Sequence, residues 1–119
     1  MTLEAGDAER GLNAVLRDVR HSAEIEVSGW IAPSEGWTVS LHYDGSGSST
    51  DLVDARGWGF DRFVGVVAEW VQTKIEFHLK HPWPACPRHP NHELTAAVVE
   101  GCWVCPDDAG VRFPIGQLP

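Results

Sequence analysis

The stretch AEIEVSGWIAPSEGWTVSLHY, residues 23–43, decides the class of fold. Apolar and polar residues alternate in two runs, residues 23–31 and 37–43. Strict alternation places the apolar side chains on one face of a strand, so each run is predicted to be a half-buried strand. Pro33 and Gly36 stand at turn positions between the runs, which predicts an antiparallel hairpin.

Helical periodicity flanks this hairpin on both sides. Residues 7–20 carry leucine and valine at helical spacing and predict an amphipathic helix. The polar, glycine-rich residues 44–51 are interpreted as a loop, and a third extended segment is expected over residues 52–60. A second helix is predicted from residue 61 to Pro82, with an apolar arc of roughly 220° and Gln72 among the polar residues outside it. Because a helix on one sheet needs only about 100°, we expect cover on two sides, from the first helix, the C-terminal segment or another subunit.

Aromatic residues suggest where a partner would bind. Phe63, Trp70 and Phe77 stand seven residues apart on one flank of the second helix. This spacing suits packing against another part of the same chain or against a second copy. Trp30 shares a strand face with acidic and serine residues, and Trp58 is flanked by glycines. Since exposed tryptophans anchor protein interfaces, Trp30 and Trp58 are candidate partner-binding residues unless the chain itself covers them.

Composition restricts the classes of function. The chain has 17 acidic and 9 basic residues, a net charge of −8 and no basic cluster, which disfavours binding to nucleic acid. No stretch approaches the roughly 20 apolar residues that span a bilayer, and the N-terminal sequence does not have the pattern of a signal peptide. All three cysteines lie in the last third near histidines, which is typical of a reduced compartment and a metal site. We therefore expect a cytoplasmic protein without membrane contact.

The last third contains two pairs of metal-ligand residues, Cys86-x2-His89 and Cys102-x2-Cys105. A two-residue spacer lets a tight turn aim both side chains at one ion, and structural zinc takes four Cys or His ligands. The sequence therefore predicts a Zn2+ site with Cys86, His89, Cys102 and Cys105 as ligands. His92 is the alternative to His89, through a Cys-x5-His spacing. The alternative for the whole group is inert buried thiols beside unrelated histidines.

The predicted zinc site is structural, with no catalysis, because four protein ligands leave no open position for water. The nearest enzyme pattern, that of zinc deaminases, needs His-x-Glu followed by Pro-Cys-x-x-Cys. Here Glu93 directly follows His92, and Gly101 precedes Cys102, so neither half matches. A zinc-dependent hydrolase or deaminase stays an alternative that would require an open coordination position.

Short strands complete the pattern around these pairs. ELTAAVV is strand-like, Glu100-Gly101 falls where a two-residue turn would reverse the chain, and VRFPI can return as a further strand. Residues 83–115 thus resemble a zinc ribbon, in the Cys3His form that His89 gives it. The whole chain resembles small actinobacterial zinc-ribbon proteins of no known activity, and its arginine bias suits a GC-rich bacterial genome.

The predicted architecture is α+β. Residues 1–81 are expected to form a helix, a three-stranded antiparallel sheet and a long helix, followed by a zinc ribbon-like segment over residues 82–119. The predicted function is that of a small zinc-stabilised interaction or regulatory protein, whose partner is another protein or a second copy. A nucleic-acid-binding ribbon is the alternative, and it would require Arg88 and Arg112 to converge on one face.

Overall fold

Two α-helices and two three-stranded antiparallel sheets form the fold in the computed structural model, which describes residues 2–119. A π-helical turn, Val19–Ala23, extends the first helix, and a 3₁₀ turn, Ala55–Gly57, precedes the second. In chain order the elements are α1 Ala5–Asp18, β1 Val27–Pro33, β2 Trp37–Tyr43, β3 Ser46–Leu52, α2 Phe60–Leu79, β4 Thr95–Ala97, β5 Cys102–Cys105 and β6 Asp108–Pro114. The predicted α+β class is confirmed.

β1 and β2 form the hairpin that their alternation predicts, with Val27 paired to Tyr43. The predicted start of the first strand at Ala23 is wrong. Residues 19–23 continue the helix, and Glu24 then adopts the left-handed conformation, with φ at 57°. A left-handed residue reverses the chain at a helix end, so the strand begins only at Val27.

The third strand lies where a loop was expected. Residues 46–52 form β3, whereas residues 53–59 form turns, so both predicted positions are wrong. Asp44 and Gly45 make the two-residue connection, and both have positive φ, at 46° and 77°. Asp-Gly is a favoured pair in such hairpin turns because their twist matches that of the flanking strands. This local turn chemistry determines β3 although the strand carries few apolar residues.

Two parts of the chain cover α2, as its wide apolar arc predicts. Phe63 is fully buried, with its ring over Gly11 of α1. On another side, a Cβ added to Gly65 would lie 2.2 Å from the carbonyl oxygen of Val98. Glycine alone permits this approach, which brings the loop between β4 and β5 onto α2. One hydrophobic core contains residues from both sides of residue 82. The domain boundary at that residue stays a prediction.

A buried carboxylate joins α1 to the second sheet. Asp18 is completely buried and accepts hydrogen bonds from Trp103 Nε1 at 2.9 Å, Gly116 N at 2.6 Å and Leu118 N at 3.2 Å. Arg17 Nη1 lies 2.9 Å from its Oδ1 atom. A carboxylate is tolerated in the core only when it is paired and hydrogen-bonded. Asp18 therefore fixes the second sheet and the C-terminal residues against α1.

We expect Asp18→Ala to lower the free energy of unfolding by about 3 kcal/mol, because the substitution leaves several donors without an acceptor. Denaturant unfolding followed by tryptophan fluorescence measures the change. Asp7→Ala is the control, since Asp7 pairs with Arg10 at the surface and an exposed pair of this kind contributes little to stability. Equal losses in the two variants would contradict the role of Asp18.

Candidate metal centre

Four metal-ligand side chains meet beside the second sheet. Cys86, His89, His92 and Cys105 each place one ligand atom within 4.8 Å of all the others. His89 Nδ1 lies 3.6 Å from Cys86 Sγ and 3.5 Å from Cys105 Sγ. His92 Nε2 lies 3.5 Å from Cys105 Sγ. Ligand atoms about 2.0–2.3 Å from a tetrahedral zinc ion stand roughly 3.5 Å apart, so this Cys2His2 group has the dimensions of a metal site.

A tight backbone loop positions three of the four ligand residues. The His89 N–H donates to the Cys86 carbonyl at 3.2 Å, and the His92 N–H donates to the His89 carbonyl at 3.0 Å. The Cys86 N–H donates in turn to the His92 carbonyl at 3.0 Å, which closes the loop. Pro87 and Pro90 restrict the backbone between these residues. We call residues 86–92 the ligand loop.

The group differs from the predicted ligand set at one place, since it contains His92 and does not contain Cys102. In β5 burial alternates, with Trp103 and Cys105 buried and Cys102 only partly so. Residues three apart on a strand point to opposite faces, so Cys102 and Cys105 diverge where a turn would have brought them together. The Cys102 sulfur instead lies 3.7 Å from the Glu100 carbonyl oxygen. Both histidines that the sequence offered as alternatives belong to the group.

The connection between β4 and β5 is longer than the two-residue turn that was expected at Glu100-Gly101. Residues 98–101 form a four-residue connection between β4 and β5, in which the Gly101 N–H donates to the Ala97 carbonyl at 2.9 Å. Gly101 has φ at 68°, a conformation that favours glycine. The connection therefore delivers the chain directly into a strand at Cys102.

The local electrostatics favour a thiolate at Cys86. Cys86 and Cys105 are only 1% and 3% exposed, whereas the two histidines lie nearer the surface. Burial opposes ionisation of Cys86. The backbone N–H groups of Arg88 and His89 and two neighbouring side chains outweigh it and lower the pKa of the thiol to about 6. Because the thiolate is the form that binds metal ions, the loop is suited to metal binding at neutral pH.

Asp107 supports His92 from outside the group. Nε2 of His92 faces Cys105, and its other ring nitrogen, Nδ1, lies 3.4 Å from Asp107 Oδ2. Histidine ligands commonly donate their second N–H to a carboxylate, which fixes the orientation and tautomer of the ring. Asp107 was not among the site residues that the sequence predicted. Its one sequence signal is its position two residues after Cys105.

Gln72 anchors the segment that carries the ligand loop. Its Nε2 atom donates to the Trp83 carbonyl at 3.0 Å and to the Leu94 carbonyl at 2.6 Å. These two residues lie before and after the ligand loop, so one side chain of α2 holds both of its ends. Gln72 is buried, and its predicted place on the polar side of the helix is therefore wrong.

The two candidate partner-binding tryptophans differ in exposure. Trp30 is 55% exposed and neighbours Gly29, whose missing side chain faces Leu12 of α1. The Trp30 side chain therefore points to the opposite, outer face of the sheet. Trp58 is partly buried, with the Arg62 guanidinium carbon 4.9 Å from the centre of its ring. Trp30 alone among the tryptophans of residues 2–119 is classed as exposed.

No protein-family model matches the chain, and no curated protein or solved structure matches it either. The zinc ribbon-like subtype therefore stays a prediction. Neither helix of the described residues 2–119 has both the length and the apolar character needed to cross a bilayer. The geometry of the Cys2His2 group is the strongest support for a function.

We expect His92→Ala to weaken zinc binding by about a hundredfold, because it removes one of four ligand atoms. Cys102→Ser should change the affinity by less than about threefold, since its sulfur lies outside the group. Competition with a metallochromic chelator measures both affinities. A larger loss in the Cys102 variant would show that the predicted ligand set is the correct one.

Asp107→Ala should weaken zinc binding by about tenfold, as expected when a ligand histidine loses its supporting carboxylate. Asp107→Asn should recover part of the affinity, because its amide oxygen can still accept the His92 N–H. The same chelator competition gives the values. Asp108→Ala is the neighbouring control, since the Asp108 carboxylate contacts Arg88 and the Gly110 N–H and not a ligand side chain. Indistinguishable affinities of the Asp107 and Asp108 variants would count against this support.

Proposed function

We propose that this protein holds a structural zinc ion in its C-terminal third and acts by binding another protein, with no catalysis at the metal. The observation that carries this proposal is the Cys2His2 group, with its ligand atoms within 4.8 Å of one another. Two cysteines and two histidines are an established ligand set of structural zinc. Four protein ligands fill the tetrahedral sphere, whereas catalytic zinc keeps one position open for water.

The ligand segment has little regular structure of its own. Residues 80–94 contain no helix or strand beyond an isolated bridge between Ala85 and Glu93. The segment reaches the second sheet through β4, which is three residues long. An ion bound to the ligand loop and to Cys105 would cross-link this segment to the end of β5. The free energy of metal binding then becomes folding free energy for this part of the chain.

The surface charges support a protein partner over a nucleic acid. Arg88 Nη1 lies 3.4 Å from Asp108 Oδ2, and Arg112 pairs with Glu100. The two arginines that a nucleic-acid-binding ribbon would use are therefore each matched by a carboxylate. The net charge of −8 further opposes a phosphate backbone.

In this proposal the compartment is inferred from the cysteines, which form no disulfide. All three, Cys86, Cys102 and Cys105, are free thiols, and two of them supply metal ligands. Such sites persist where glutathione keeps thiols reduced. We therefore propose a cytoplasmic location for the protein.

Metal content and metal removal test the proposed function. Protein purified without chelators should contain about one zinc ion per chain. Removing the ion should speed amide hydrogen exchange in the ligand loop and at the end of β5 by at least about tenfold, because these backbone groups lose their cross-link. Exchange in the first sheet should change much less.

A Cys86→Ser/Cys105→Ser chain is the control for metal removal. It should exchange like the stripped protein, and a chelator should have no further effect on it. Less than about half an equivalent of zinc, or an exchange pattern that the chelator does not change in the unmutated chain, would overturn the structural zinc site.

A further inference from the structure

One face of α2 is only partly covered by the rest of residues 2–119. Val66, Trp70, Thr73 and Phe77 follow one another at i, i+4, i+7 and i+11, the spacing of a single helical face. Phe77 is 84% exposed, and Val66 and Trp70 are partly exposed. These four residues extend over roughly 16 Å of helix. We call them the α2 stripe.

Thr73 does not place an unpaired polar group within this stripe. Its Oγ1 hydroxyl donates to the Glu69 carbonyl oxygen at 3.2 Å, so it needs no partner from outside the helix. The stripe can therefore be buried without a desolvation cost for an unmatched hydroxyl. Half-buried Val66 and Trp70 together with exposed Phe77 make this face a candidate interaction surface.

A row of charges runs beside the α2 stripe. Arg62, Glu69 and Glu76 are spaced by seven residues and so lie along the same flank of the helix. The row is positive at the N-terminal end of α2 and negative towards the C-terminal end. A second α2 placed antiparallel would bring Arg62 of each copy near Glu76 of the other. In a parallel two-fold pair the same flanks of the two helices lie on opposite sides of the contact, so the charge row of one copy would not meet that of the other.

Both end charges of this row are held in place by the chain itself. The Arg62 guanidinium lies over the ring of Trp58, with its central carbon 4.9 Å from the ring centre. Glu76 Oε2 accepts the Trp83 backbone N–H at 3.2 Å. Side chains that are already ordered lose less conformational entropy when they form an intermolecular pair.

We propose that the α2 stripe is the interface of a two-fold symmetric homodimer, in which two α2 helices pack antiparallel and Arg62 pairs with Glu76 of the partner subunit. A self-complementary surface of this kind is what an isologous interface requires. This inference rests on the proposed function in one respect: the protein partner proposed there is taken to be a second copy of this chain. Neither the stripe nor the charge row contains a metal ligand, so zinc binding and dimerisation can fail separately.

The exposed face around Trp30 gives a weaker case for self-association. Its polar neighbours are already satisfied, since Ser40 and Ser49 share a hydrogen bond of 2.8 Å and Thr38 donates to Asp51 at 2.6 Å. No row of complementary charges accompanies this tryptophan. Trp30 is therefore a suitable control position, because it is a large exposed aromatic residue outside α2.

Sedimentation equilibrium of the zinc-loaded chain, up to about 100 μM, tests the interface. The unmutated chain should be dimeric at the upper concentrations. Phe77→Arg should be monomeric throughout, because the register that pairs Arg62 with Glu76 of the partner subunit places residue 77 beside the partner's Arg62, whereas Trp30→Arg should dimerise normally. Both side chains are exposed, so neither substitution should prevent folding. Zinc content and circular dichroism should stay unchanged in both variants.

Charge reversal tests the antiparallel arrangement. Arg62→Glu alone and Glu76→Arg alone should each weaken the dimer by about tenfold, because each creates two like-charge pairs. An equal mixture of the two variants should form a heterodimer, in which every end pair is of opposite charge. Glu69→Gln should strengthen the dimer, since Glu69 lies near its own copy. In a parallel dimer the two charge rows would lie on opposite sides of the contact, so Arg62→Glu would change its stability little.

Three results would overturn the homodimer. They are a monomeric unmutated chain at about 100 μM, a dimer that survives Phe77→Arg, and a dimer that Trp30→Arg abolishes. A stripe that serves a different protein would give the first of these results. If Glu76→Arg unfolds the chain through loss of the Trp83 contact, the Arg62 and Phe77 variants decide the matter alone. A chain that dimerises but does not bind zinc would overturn the proposed metal site and leave this interface standing.

Discussion

The buried carboxylate of Asp18 is the constraint on which the C-terminal third depends. It lies at the end of α1 and accepts the indole N–H of Trp103 and two backbone N–H groups, at residues 116 and 118. If these donors moved away, a charge in the core would lose its partners, which is among the more costly events in a folded protein. Trp103 is thereby fixed in the middle of β5. Because the strand alternates, Cys105 is then fixed on the same side as Trp103, facing the ligand loop.

The ligand loop is held at its ends by contacts that do not involve a metal. Trp83 packs edge-on against Trp103, with ring centres 5.4 Å apart, and its Nε1 atom donates to Ser22 Oγ at 2.9 Å. Gln72 then binds the backbone carbonyls on both sides of the loop. A metal ion would therefore meet ligands that the fold has already brought together, which lowers the ordering cost of binding. What the ion would add is a cross-link between the ligand loop and Cys105 at the end of β5.

The parts of this fold that were predicted correctly are those with a local cause. The alternation of apolar and polar residues predicted β1 and β2, and the wide apolar arc of α2 predicted that the helix is covered on two sides. The segment of β3 was predicted to be a loop because its composition is polar. The Asp44-Gly45 turn before it is also a local signal, and it favours a strand. The roles of Asp18 and Gln72 had no such signal, and Asp107 had only its position two residues after Cys105. Asp18 meets Trp103 across 85 positions of sequence, and nothing near Asp18 indicates that contact.

The case of Cys102 shows why ligand spacing alone could not choose among the candidates. A Cys-x2-Cys pair aims both sulfurs at one ion only when the chain turns between them, and CWVC here pairs on both sides, with Ala96 and Phe113 opposite Trp103. Turning this segment to bring Cys102 inward would pull Trp103 away from Asp18. Deleting a buried tryptophan side chain costs about 3–5 kcal/mol, so unseating Trp103 would be costly, and His92 already offers a ligand atom without that cost. The burial of Trp103 therefore favours His92 over Cys102 at the fourth position of the group.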